Sequence, residues 1–122
     1  MNGTSASVER KIVSQPLGEF SVCSVVKAEL LFGARRSQRV EENLLRYRSF
    51  FDSLQSFPFD DDCAEEYSLV RSELSRRGNL IGHNDLLIAA IALTHHATLV
   101  THNTREFSRV SNLRLEDWQK SE

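Results

Sequence analysis

The chain has 122 residues, 40% of them hydrophobic and 26% charged, with a formal net charge of −2. That length supports one domain with one moderate core, and the charge balance excludes a global basic field as the means of attracting nucleic acid. The charge is uneven, however: Arg35, Arg36, Arg39, Arg46 and Arg48 gather early and Arg71, Arg76 and Arg77 follow, with Asp60, Asp61, Asp62, Glu65 and Glu66 between them, so a local basic face is compatible with the composition.

From the N-terminus, residues Ser5 to Val13 read as a short helix closed off by Pro16 and Gly18. Phe20-Ser21-Val22-Cys23 alternates as a strand, and Ser24 is placed to cap a helix running to about Arg36. Val40, Leu44, Tyr47, Phe51 and Leu54 recur at helical spacing and predict a second helix over Val40 to Leu54. Phe57-Pro58-Phe59 predicts a short strand, at an edge because Pro58 cannot donate to a ladder. Asp62 and Glu65 suggest a capping box for the next helix, with Ala64, Tyr67, Val70 and Leu74 inward and Gly78 as its stop. The helix beginning near Asn84 is apolar almost all round from Leu86 to Leu93 and should be buried against a sheet. Thr98 to His102 reads as a strand, Thr104 to Arg109 as a helical turn and Leu113 to Leu115 as a last strand. Strands alternating with helices imply an α/β fold with a parallel sheet flanked by helices.

Cys23 and Cys63 lack metal-type spacing and read as buried thiols of a reducing compartment. No signal-like N-terminus and no apolar run of membrane-spanning length is present, so a cytoplasmic location is expected.

Three polar positions stand in apolar settings. Glu29 follows Val25 and Val26 by one turn and precedes Phe32 and Gly33 by another, which puts its carboxylate on or beside the buried stripe. The bland alternative is a surface acid paired with Lys27 or an arginine. Asp85 opens a buried helix, where it either satisfies the helix end or faces a pocket, with Ala89 and Ala92 leaving room along the same face. Asn103 follows the C-terminal end of a strand, where open α/β sheets bind ligands, although a turn asparagine reads the same way. Carboxylates without cysteine suit a hard cation such as Mg²⁺ or Mn²⁺, which positions water and screens phosphate charge in phosphodiester hydrolysis. His83, His95, His96 and His102 lack the spacing of a helical zinc site; His83 and His102 neighbour the expected pocket.

Three ordered segments now carry a resemblance. Ser24-Val25-Val26-Lys27-Ala28-Glu29-Leu30-Leu31-Phe32-Gly33, Ile81-Gly82-His83-Asn84-Asp85-Leu86-Leu87-Ile88-Ala89-Ala90 and Leu99-Val100-Thr101-His102-Asn103-Thr104-Arg105-Glu106-Phe107 resemble a PIN domain, more narrowly the VapC toxins of bacterial toxin–antitoxin systems. The likeness extends through Leu113 to Trp118 and makes residues 1–122 one PIN-like domain. It implies a Mg²⁺- or Mn²⁺-dependent endoribonuclease, acting on RNA with tRNA as the candidate substrate, dimeric and held by a cognate antitoxin. Glu29 and Asp85 match the family's metal-binding acids. Asn103 stands where many members carry a further acid, and His83 where proline is frequent.

One departure is plain: members begin with a hydrophobic strand ending in Asp-Thr-Asn, central in the sheet, and no such segment occurs here. The N-terminus is therefore expected to be truncated or called too late. The rival expectation is a catalytically impaired PIN remnant that only binds an antitoxin or partner chain.

Overall fold

The computed structural model describes residues 12–14 and 20–117. Strands β1 (Ile12–Ser14), β2 (Phe20–Cys23), β3 (Gln55–Phe57), β4 (Thr98–Val100) and β5 (Arg114–Glu116) form a sheet in the order β3-β2-β1-β4-β5. Helices α1 (Ser24–Arg35) and α2 (Val40–Asp52) separate β2 from β3, α3 (Asp61–Arg76) and α4 (His83–Thr94) lead to β4, and α5 (Thr104–Phe107) precedes β5.

The outer pairs are parallel as expected, Cys23 opposite Phe57 and Val100 opposite Glu116. The centre differs. β1 fills the position that the sequence leaves without its usual strand and runs antiparallel to both neighbours, Val13 opposite Ser21 on one side and Leu99 on the other. Ile12 and Val13, expected to end a helix, are thus in a strand, because their backbone groups complete two ladders that would otherwise face each other unpaired. The rest of that expected helix, from Ser5, with Pro16 and Gly18, lies outside the described residues.

Two N-caps also differ from expectation. Cys23, not Ser24, is the N-cap of α1, and Ser24 is already helical. At α3 the cap is Asp60, whose carboxylate accepts from the Cys63 N–H at 3.1 Å, so the box expected at Asp62 sits two residues too late. That shift brings Cys63 rather than Ala64 inward, beside Val70 and Leu74.

The core follows from the helical stripes. Val26, Leu30 and Ala34 of α1 and Leu44, Tyr47 and Phe51 of α2 are buried. α4 contributes Leu86 and then Ile88 through Ala92 without interruption, which is why its hydrophobicity is not confined to one face. Ala89 and Ala92, on the face of Asp85, are fully buried packing residues. Cys23 and Cys63 are free and buried, as expected, and burial pushes both thiols up.

α3 and α4 both end in left-handed residues that close Schellman motifs. After α3 that residue is Gly78 (φ 64°), with Asn79 N–H on Leu74 O at 2.9 Å. After α4 it is His96 (φ 53°), with Ala97 N–H on Ala92 O at 2.9 Å.

Candidate functional site

β2 and β4 are both antiparallel to β1 and so run in the same sense, which puts their C-terminal ends on one edge of the sheet. α1 departs from that edge after Cys23, and α4 ends three residues before the N-terminal end of β4, so its first turn points back toward the same edge. Open α/β sheets bind ligands there, because loops and helix starts converge outside the strand ends. Glu29, Asp85 and Asn103 all belong to segments at this edge.

Glu29 is half-buried on α1, and its Oε2 accepts from Asn84 Nδ2 at 3.4 Å. This contact joins α1 to the first turn of α4 across a separation of 55 residues. Desolvation pushes the Cys23 thiol up, and the Glu29 charge adds to it, so this carboxylate also acts on the end of β2. A cleft of about 420 Å³ opens beside it, lined by Ser24, Val25, Ala28, Phe32, Asn84 and Leu87 as well as Glu29. Phe32 is 60% exposed at its mouth.

Asp85 is half-buried in the first turn of α4, whose N-cap is Gly82, a residue with no side chain to offer. A Cβ built on Gly82 would lie 3.6 Å from Asp85 Oδ2, so the carboxylate lies back over the helix start. There it meets the positive end of the helix dipole. His83 and Asn84 are inside the helix and turned elsewhere: Asn84 to Glu29, His83 to α3. His83 Nδ1 lies 3.3 Å from the Tyr67 hydroxyl, which accepts from Arg71 Nη1 at 2.9 Å.

Asn103 is the N-cap of the short helix α5, and its backbone N–H donates to Thr101 Oγ1 at 3.0 Å. The structure thus brings Glu29 together with the Asn84–Asp85 turn by a direct bond and holds Asn103 on the β4 side through its backbone. His102 is directed away to Asp117, 3.3 Å from its Oδ2.

On chemistry, Glu29 and Asp85 offer the oxygen donors that Mg²⁺ or Mn²⁺ takes. On number they fall short. Among the described residues no group of three or more His, Cys, Asp or Glu side chains is placed to hold a metal ion. β1, Ile12-Val13-Ser14, adds no carboxylate at the sheet centre.

Sequence reasoning missed Asn84 as the bridge to Glu29 and the Tyr67–Arg71 support of His83. Only the adjacency of Asn84 to Asp85 signalled the first; nothing in spacing signals the second.

Comparison with known proteins settles the family. The PIN domain model matches residues 4–113. The chain belongs to the PIN-domain family. This PIN domain is 42% identical over 100 residues to "Ribonuclease VapC2" of Rickettsia felis, covering 82% of the chain and 75% of the relative. It is 39% identical over 101 residues to the "tRNA(fMet)-specific endonuclease VapC" of Shigella flexneri, covering 83% and 76%. Among solved structures, VapBC2 from Rickettsia felis bound to a promoter DNA fragment matches with a TM-score of 0.77 at 42% identity, over 80% of this chain and 74% of that one. VapBC-1 from nontypeable Haemophilus influenzae matches with a TM-score of 0.80 at 31% identity, over 86% and 78%. Within the PIN family the chain is thus of the VapC ribonuclease type.

Proposed function

We propose that this PIN domain is the endoribonuclease toxin of a toxin–antitoxin pair, hydrolysing RNA phosphodiester bonds at the edge formed by Glu29, Asp85 and Asn103. The observation that carries the reading is the Glu29–Asn84 bond, which joins the two acidic segments across 55 residues and so supports one shared site. The tRNA named for the Shigella flexneri relative makes tRNA the substrate to try first. The partner is a cognate antitoxin, the VapB component named with the VapC of the solved relatives; a homodimer and a cytoplasmic location go with this reading. Among the described residues no helix is long and apolar enough to cross a membrane.

Mg²⁺ or Mn²⁺ belongs to the proposal as the cation whose protein oxygens come from Glu29 and Asp85, where it would screen phosphate charge and lower the pKa of water. Two carboxylates do not make a complete hard-cation site, so the bound ion needs oxygens from elsewhere. Asn103 contributes an amide that accepts or donates without adding charge.

A second reading is favoured by one observation: the central strand β1 carries no acid. On that reading the domain is impaired in cleavage and serves as an antitoxin-binding module. The deciding experiment is cleavage of purified tRNA by the purified chain with Mg²⁺, with chelator, and after addition of an Asp-bearing N-terminal strand. Chelator-sensitive cleavage abolished by Glu29→Gln supports the enzyme. No cleavage by the chain, with tight antitoxin binding, supports the module; cleavage restored by the added strand places the defect in β1.

A further inference from the structure

The surface that leaves Glu29 along α1 has a composition that phosphodiester hydrolysis alone does not require. Glu29, Phe32 and Arg36 stand at i, i+3 and i+7 and form one stripe. Phe32 lines the Glu29 cleft and is 60% exposed, an unusual setting for a large aromatic ring. The Arg36 guanidinium lies over that ring, 5.6 Å from its centroid. Arg36 in turn lines a second cavity of about 650 Å³ at the α1–α2 corner, together with Arg39, Arg46, Gln38 and Asn43. The acid on this wall, Glu42, pairs with Arg39 at 3.3 Å, but both side chains are largely exposed, so the pair is weak. In a chain of net charge −2 these arginines are a local concentration of positive charge beside an acidic site.

We propose that this stripe is the track for single-stranded RNA entering the site: a base flanking the scissile bond stacks on Phe32 beside Arg36, and the adjoining phosphates lie in the cavity lined by Arg36, Arg39 and Arg46. The inference rests on the ribonuclease reading of Glu29 and Asp85. An exposed aromatic ring with arginine forks is the arrangement that single strands use, since every base has a face to stack and every linkage a charge to neutralise. Seven helical residues span about 10 Å, the rise of about three nucleotides at 3.4 Å each. The track is therefore of the right length to hold a short unpaired segment, such as a loop. The arginines account for the phosphates, and the amides of Gln38 and Asn43 offer both donors and acceptors for base edges.

The test uses a fluorescein-labelled single-stranded RNA of about twelve nucleotides, binding measured by anisotropy over a salt series, with cleavage followed in parallel. Three exposed substitutions leave the core intact: Phe32→Ala, Arg36→Gln and Arg46→Gln. Phe32→Ala should weaken binding about tenfold with the salt slope unchanged, and Phe32→Trp should restore it. Each arginine change should reduce the slope of log K against log salt by about 0.7, the value for one single-strand phosphate. The proposal stands only if both effects appear. Unchanged affinity and slope overturn it, as does loss of antitoxin binding with RNA affinity intact, which makes the stripe a protein interface. A chain that cleaves with unchanged KM in all three variants refutes the track and leaves the ribonuclease. A chain that binds with both signatures but never cleaves refutes the ribonuclease and leaves the track.

Discussion

The two ends of α4 are built in opposite ways. At the N-terminal end His83, Asn84 and Asp85 are exposed or half-exposed, the N-cap Gly82 supplies no side chain, and Asn84 and His83 are directed at α1 and α3. At the C-terminal end Ala97 and His96 close a Schellman motif, and the His96 carbonyl accepts from Arg114. Between the ends the residues from Ile88 to Ala92 are wholly buried. One end joins its polar side chains to neighbouring elements, Asn84 to Glu29 and His83 to Tyr67, and the rest of the helix is committed to packing. A site needs polar side chains outside the packed core, and the helix tolerates them in its first turn because its stability comes from the buried middle.

Four substitutions break or sharpen that contrast. Ile91→Ala, in the packed middle, should cost about 3 kcal/mol, because the fully buried side chain leaves a cavity its neighbours only partly fill. Denaturant unfolding measures it, and a cost below about 1 kcal/mol would mean that the middle is not the packing anchor. Asp85→Asn, at the open end, should lower tRNA cleavage at least about a hundredfold while leaving the unfolding midpoint nearly unchanged. Steady-state cleavage and thermal melts on the same preparation separate the two effects, and full activity would remove Asp85 from the site.

His96→Gly should raise stability by about 1 kcal/mol, since a residue with a Cβ is strained at φ 53° and glycine is not. A thermal melt that moves down instead would show that the imidazole makes a contact worth more than the strain. The smallest effect is expected outside α4, at the cap of α3. The Cys63 N–H donating to its carboxylate holds Asp60 below the usual carboxylate range, so its stabilising contribution is present at neutral pH and lost as pH falls through that lowered value. Asp60→Ala should lower the melting temperature at neutral pH, and the gap to the parent should close well below pH 3.8, the ordinary carboxyl value. A gap independent of pH would remove the charge from the argument.

The contrast also explains what the sequence made legible. α1 to α4, β2 and β4 were readable because their apolar patterning is the same feature that packs them, whereas the strand expected at Phe57-Pro58-Phe59 lies earlier, at Gln55–Phe57, and ends before Pro58, which has no N–H for the ladder. Glu29 and Asp85 were singled out because an acid among apolar residues is conspicuous in any order. β1 was not readable: Ile12-Val13-Ser14 is too short for a period, and its strand state comes from the two ladders it completes. The cap of α3 was misplaced because Asp60, Asp61 and Asp62 are chemically alike, and only the backbone at Cys63 selects among them. Asn84 was legible as a neighbour of Asp85 but not as a partner of Glu29, because a pairing across 55 residues leaves no local trace.

The reversal of β1 has a consequence for how the sheet assembles. In a sheet of parallel strands each pairing waits for a long crossover, so the central strand is the last to gain both neighbours. Here Ser14 pairs with Phe20, a separation of six residues, while Cys23 and its parallel partner Phe57 lie 34 apart. Closing the short loop costs far less chain entropy than closing the long one. The β1–β2 ladder is therefore the local contact around which the distant halves of the chain can gather, and the middle of the sheet becomes its earliest pairing.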